Sequence, residues 1–327
     1  MTSSEIRSCG PEDRDALLAL HNRAFGPPRW DEAWWDWRFH RLPAGGSEVL
    51  GAFEASGECK AIYAGVRHRL LYDGEECYVL SHSDVAVAPE LRTGLGGSGL
   101  LIRMAELFFD SYGGGETQLM YGIPEPALRR VVVRHMRSEV LTDLLFLAHD
   151  LADTPPAPAA VEVRTVAGFD EETDALWGRV RGELGAAIVR DSAYLNLRYR
   201  DHPRVDYRLL EARDAASGAL RGLAILRDGG WDPGVGTLSE WLVPGGDEEA
   251  ELALTAAAVD DARARRHRAL VAWFPAPAPQ FQRFQRAYGF FAHPTPYQLV
   301  VRNWRNGIDR RWLHERWYQT MGDVDFF

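Results

Sequence analysis

Residues 100–112 carry Leu100, Leu101, Met104, Leu107 and Phe108 at spacings of one, three and four, which is one stripe of a helix. Gly113-Gly114-Gly115 follows and supplies the left-handed conformations that end such a helix. With apolar runs at 82–88 and 118–123, the pattern predicts a strand, a helix over 98–112 and a second strand. That crossover should be parallel and right-handed. The second half shows the same order, with a helical period over 248–265 and a short buried strand at "ALVAWF", 269–274. "FEASGECKAIYAG" (53–65) and "ARDAASGALRGLAI" (212–225) each read as strand, Ser-Gly turn and strand.

These likenesses belong to a longer repeat. "WDWRFHRLP" (35–43) matches "LNLRYRDHP" (195–203), placing Arg38, Phe39 and Pro43 against Arg198, Tyr199 and Pro203, each 160 positions apart. "SDVAVAP" (83–89) parallels "SEWLVP" (239–244), and "YGIPEPALRRVVVRHM" (121–136) parallels "AWFPAPAPQFQRFQRAY" (272–288). Between the copies lies "ADTPPAPAAV", a Pro/Ala run that holds neither a helix nor a central strand. The expected division is 1–151 and 162–303 as two domains, 152–161 as linker and 304–327 as an amphipathic, aromatic tail that docks on the body or on a partner.

Composition adds limits. A chain of 327 residues with 46% hydrophobic residues can bury two cores. No uncharged apolar run approaches the roughly eighteen residues of a membrane span, and the first twenty-five residues hold Glu5, Glu12, Asp13 and Asp15 in place of a leader pattern. Cys9, Cys59 and Cys77 make an odd count without C-x-x-C spacing, so a cytoplasmic protein without disulfides or zinc is expected. His267 and His293 stand alone and suggest no metal. The formal net charge of −10 disfavours nucleic acid as a partner.

The glycine-rich stretch "PELRTGLGGSGLLIRMAE" (89–106) opens the predicted helix. Its core, 94–99, spells G-x-G-x-x-G. A dinucleotide site, however, needs the first glycine directly after a domain's first strand and an acidic residue closing the next. Here residues 89–93 intervene, several strands precede, and Glu116 comes before the next strand. A plain surface turn is the bland alternative. Backbone N–H groups at a helix N-terminus can instead face a pyrophosphate, which approaches closely only where no Cβ intrudes.

Val87, Pro89, Glu90, Leu91 and Arg92, followed by the glycines and Leu100-Leu101, resemble the V-x-P-E-x-R-G-x-G-x-G-x-x-L-L segment of the GNAT acyltransferases. "YGIPEP" is similar to the "GFPN" of one branch, and "YGF" (288–290) to the family's "LGF". The resemblance covers both halves and implies a tandem GNAT N-acetyltransferase. Its fold class would be α/β, two GNAT-like units, each a mixed, partly parallel sheet flanked by helices. One departure concerns the loop, where the family pattern started at Arg92 has glycine at 95 and glycine or alanine at 97, against Leu95 and Gly97 here. The other is a missing tyrosine, with Val133 in its place.

The resemblance implies acetyl-CoA, or another acyl-CoA, as co-substrate and a small-molecule or peptide amine as acceptor, with no metal and no membrane partner; a homodimer is compatible. The phosphates would lie on Arg92, Thr93, Gly94, Leu95, Gly96, Gly97, Ser98 and Gly99, and the pantetheine arm would pair with Val85, Ala86 and Val87. His82 and Asp84, two apart on one strand and so on one face, are the candidate bases, and Tyr121 is the candidate acid. In the second copy Asp247, Glu248 and Glu249 occupy the corresponding turn and would repel phosphate. Trp30, Trp34 and Trp37 recur at near-helical spacing, which favours core packing over ligand stacking. Two other readings remain: a degenerate acyl-CoA-binding or scaffold protein, and an aminoacyl transferase of the FemX kind, which would need a basic surface for charged tRNA.

Overall fold

The computed structural model describes residues 4–26, 30–92, 95–230, 232–304 and 308–324, with only the backbone of 95–98. In chain order the elements are β1 (Glu5–Ser8), α1 (Arg14–Phe25), α2 (Glu32–Phe39), β2 (Ser47–Phe53), β3 (Cys59–Tyr72), β4 (Glu75–Val87), α3 (Leu95–Tyr112), β5 (Thr117–Gly122), α4 (Arg129–His135) and β6 (Glu139–His149). There follow β7 (Val161–Val166), α5 (Glu171–Val180), β8 (Ala186–Ile188), α6 (Ser192–Leu195), β9 (Tyr207–Asp214), β10 (Leu220–Asp228) and β11 (Val235–Leu242). The last are α7 (Glu248–Ala264), β12 (Ala269–Ala272), α8 (Pro279–Ala287), β13 (Phe291–Asn303) and α9 (Arg310–Arg316).

Two compact units result, and they cross the linear halves of the chain. Unit 1 comprises 1–69, 77–141 and 297–308; unit 2 comprises 70–76, 142–296 and 309–327. In unit 1 the sheet runs β1-β2-β3-β4-β5 and then the end of β13, whose Val300 and Val301 pair antiparallel with Gly122 and Tyr121. In unit 2 it runs from the end of β6 through β12, β11, β10 and β9 to β7, while β8 pairs with residues 70–72 of β3. The last strand of unit 1 thus comes from the second half of the sequence.

Both predicted crossovers are present. β4 and β5 are parallel around α3, and β11 and β12 are parallel around α7. The repeat also reproduces its caps. Asp31 accepts the Trp34 N–H at 2.9 Å to start α2, and Asp191 accepts the Tyr194 N–H at 2.9 Å to start α6. Helix α3 begins at Leu95 rather than 98, so Gly96, Gly97 and Gly99 fall within its first turns. Its buried stripe of Leu100, Leu101, Met104, Ala105 and Phe108 packs on Tyr63, Leu80 and Val87. Close approach is built into β3: a Cβ on Gly65 would lie 2.8 Å from the Phe108 ring.

Candidate active site

The parallel register of β4 and β5 runs from Tyr78 opposite Thr117 to Ser81 opposite Tyr121, and stops. β4 continues to Val87, so residues 82–87 have no β5 partner among the described residues. The strands open at the C-terminal end of a parallel pair, ahead of the first turn of α3.

His82 is the first residue past the last pair. Its ring lies 4.8 Å from that of Tyr63, and a Cβ on Gly122 of β5 would stand 2.8 Å from the His82 Cβ. The His82 Nε2 is out of solvent and has no hydrogen-bond partner among the described residues. Burial pushes its pKa down to about 4, because the imidazolium would have to shed its hydration. His82 is therefore neutral at pH 7.

Asp84 does not share that face, which corrects the expectation from strand alternation. Leu80 and His82 lie with Gly65 and Tyr63 toward α3, and so do Val85 and Val87. The alternation slips by one residue at Asp84, which takes φ = +55°. Its carboxylate turns to α2 and accepts the Arg38 Nε–H at 3.0 Å, with the two side chains 9% and 5% exposed. Asp84 and His82 are thus separate features of one strand. Arg38 is absent from the expected site; its signal was recurrence as Arg198 in the repeat.

His21 of α1 adds a second buried imidazole. Among the described residues neither of its ring nitrogens has a hydrogen-bond partner, and its ring lies 4.2 Å from Trp30. Burial lowers its pKa, with Asp84 pulling it up and Arg38 pushing it further down. Trp34 and Trp37 are buried, as core packing requires.

Tyr121 is buried at the last paired position of β5, with 2% exposure. Val85 is half-buried, and Ala86 and Val87 are buried. Arg92 is exposed, but its side chain is committed to backbone: its Nε–H donates to the Val87 carbonyl at 3.0 Å and an Nη–H donates to the Ala24 carbonyl at 2.9 Å. It ties the end of β4 to the end of α1. Thr93 and Gly94 lie outside the described residues, as do the side chains at Leu95, Gly96, Gly97 and Ser98. Gly99 has open space where a Cβ would stand.

The corresponding turn of unit 2 is filled by carboxylates. Asp247 caps α7 through the Ala250 N–H at 3.1 Å and holds Arg221 at 2.5 Å, while Glu183 accepts the Gly245 N–H at 2.7 Å. Among the described residues, no group of three or more His, Cys, Asp or Glu is arranged to hold a metal ion, and no helix is long and apolar enough to cross a membrane.

No protein-family model matches the chain, and no curated protein matches it. Solved structures do. A probable N-acyltransferase from Enterococcus faecalis is similar at 14% identity and a TM-score of 0.70, over 97% of this chain and 75% of that one. A tandem GNAT protein from the clavulanic acid biosynthesis pathway is similar at 15% identity and a TM-score of 0.59, over 92% and 98%. Saccharomyces cerevisiae N-myristoyltransferase with bound myristoyl-CoA is similar at 10% identity and a TM-score of 0.58, over 94% and 80%. At these identities the likeness is one of fold, and the fold is the tandem GNAT fold.

Proposed function

We propose that the chain moves an acetyl group, or another acyl group, from acyl-CoA to a primary amine, with unit 1 carrying the reaction. The observation behind this reading is the opening of β4 from β5 past Ser81 and Tyr121, ahead of the glycine-bearing start of α3. A pantetheine arm has amides along an extended chain and can take the vacated strand position beside Val85, Ala86 and Val87. The pyrophosphate would then meet the N–H groups and positive end of α3.

In the reaction the amine nitrogen attacks the thioester carbonyl, the C–N bond forms, and the C–S bond breaks as the thiolate leaves and takes up a proton. The ammonium proton passes to a base. His82 stands at the opening with an unpartnered ring nitrogen, and Asp84 holds a carboxylate on the same strand. Tyr121 remains the candidate acid at the opening's edge.

The test is titration calorimetry with acetyl-CoA and longer acyl-CoAs, followed by thiol release with a panel of primary amines. Amine-dependent release that falls about 10²–10⁴-fold in His82→Ala or Asp84→Asn, with acyl-CoA affinity kept, supports the reading. A chain that binds no acyl-CoA refutes it. Arg92, committed to the Val87 and Ala24 carbonyls, favours one second reading, an acyl-CoA-binding protein without transfer, which binding without thiol release would select.

A further inference from the structure

Residues 126–138 hold four arginines and no carboxylate, in a chain whose formal net charge is −10. Helix α4 turns Val132 into the core of unit 1, and Met136 follows it just past the helix end. Arg130, Val133 and Arg134 recur at helical spacing on the exposed side, and Arg137 extends that stripe from a left-handed residue after the helix. Leu128 and Val133, 40% and 37% exposed, set an apolar patch among these cations. Among the described residues none of Arg129, Arg130, Arg134 and Arg137 has a hydrogen bond or ion pair through its guanidinium.

Folding does not account for this charge. Arg129 and Arg130 stand in the first turn of α4, where the helix dipole disfavours cations, and no acidic residue of that turn offsets them. At the other end Arg302 of β13 already donates to the Met136 carbonyl at 2.6 Å, and Arg137 brings a like charge toward it. The copy in unit 2 differs: α8 carries Arg283 and Arg286, and Arg283 is drawn onto the buried Glu251 at 2.6 Å. The cationic face therefore belongs to the unit with the glycine-bearing helix start. Its place is also defined, because Val132 and Met136 pack in one apolar cluster with Val87 at the end of β4 and Leu100 at the start of α3. A partner seated on α4 sits beside the strand opening.

A pantetheine arm is borne by coenzyme A or by a small acidic carrier protein. One nucleotide phosphate does not meet cations spread along the length of α4, about 10 Å. A nucleic acid would find no Phe, Tyr or Trp in residues 126–138 on which to stack a base. Leu128 and Val133 instead give an apolar centre set among arginines, the make-up of a protein interface. We propose that the exposed face of α4 docks an acidic carrier protein, which delivers the acyl group on a phosphopantetheine arm to the opening between β4 and β5. The inference rests on the acyl-transfer reading of unit 1 and names the bearer of its donor. The bond changes are the same: the C–N bond to the amine forms, the C–S bond to the arm breaks, and the arm's thiolate takes up a proton.

The test uses the full chain and two probes, acetyl-CoA and a bacterial acyl carrier protein acetylated on its phosphopantetheine. Calorimetry should show one saturable site for the acetylated carrier, competed by acetyl-CoA. Arg130→Glu/Arg134→Glu should weaken carrier binding about tenfold or more and leave acetyl-CoA affinity within about twofold. Both positions are exposed, so the melting temperature should hold and report an intact fold. Acetyl-CoA binding without carrier binding, or carrier binding equal in the double variant and wild type, overturns the docking proposal and leaves the acyl-transfer reading standing. An equal loss of acetyl-CoA affinity would put nucleotide phosphates on α4 and overturns it too, as does a short RNA duplex that binds wild type more tightly than the carrier does. Failure of wild type to bind either probe overturns both readings at once.

Discussion

Arg38 and Asp84 form an ion pair across 46 residues of sequence, at 3.0 Å and almost without solvent, and Asp84 makes its half of the pair from a left-handed backbone position. Removing Arg38 leaves the Asp84 carboxylate buried without its guanidinium. Arg38→Met is therefore expected to destabilise unit 1 by about 3–5 kcal/mol, whereas Arg38→Met/Asp84→Asn should recover much of the loss. Asparagine suits the left-handed position, so the second change relieves charge without adding backbone strain. Urea unfolding followed by tryptophan fluorescence measures both. A loss in the single variant below about 0.5 kcal/mol would show that the pair is solvated in solution.

His82 sets a pH dependence whose sign follows from its burial. Its pKa is lowered to about 4, against about 6.5 in the unfolded chain, so the unfolded state binds the proton more readily. The stability linked to this group is fully present above about pH 6.5 and declines as pH falls toward about 4. Between about pH 7.5 and about pH 5, wild type should lose up to about 2 kcal/mol more than His82→Gln, which has no such proton to bind. Parallel urea curves at the two pH values give the comparison. Equal losses in the two proteins would mean that the imidazole is hydrated.

Much of this arrangement was legible in the sequence, and the missing parts share a cause. The stripe of α3 and both crossovers come from local pattern, since hydrophobic period acts within a few residues. The bulge at Asp84 carries no such mark. A glycine would have announced a left-handed residue, but an aspartate in a strand of apolar and small residues does not, and the face argument for His82 and Asp84 failed there. The pairing of Val300 with Gly122 was hidden for another reason. Any apolar strand suits that edge locally, and the selection of β13 over the strand adjacent in sequence is made by tertiary packing. Arg38 was visible as a repeated residue, yet its partner depends on that bulge.

Gly122 tests the opening between the strands. A methyl group there would meet the His82 Cβ at 2.8 Å, a contact with the stiff start of a side chain. Gly122→Ala should destabilise by about 1–3 kcal/mol through overpacking and displace His82. If the opening takes the thioester, turnover should fall while acyl-CoA affinity changes little, because the phosphates bind farther along at α3. Thermal melts and a thiol-release assay separate the two effects. Stability and turnover both equal to wild type would place His82 and Gly122 outside the site.

The two helix starts predict one coenzyme per chain. At α3 the first turns carry Gly96, Gly97 and Gly99; at α7 the equivalent donors already face carboxylates of Asp247 and Glu183, and Arg221 is committed to Asp247 and Glu249. A pyrophosphate arriving at α7 would have to displace anions that are covalently part of the chain, so unit 2 should not bind it. Gly97→Leu is expected to abolish binding, since a phosphate cradle of backbone N–H groups works only at close approach. Asp247→Asn, which keeps a capping side chain, should leave binding intact. At ligand about a hundred times the dissociation constant, wild type and Asp247→Asn should each gain about 2.7 kcal/mol, seen as a rise of several degrees in melting temperature. Gly97→Leu should show no rise. Calorimetry with coenzyme A gives the stoichiometry directly: two molecules per chain, or an undiminished thermal shift in Gly97→Leu, would place the phosphates somewhere other than the start of α3.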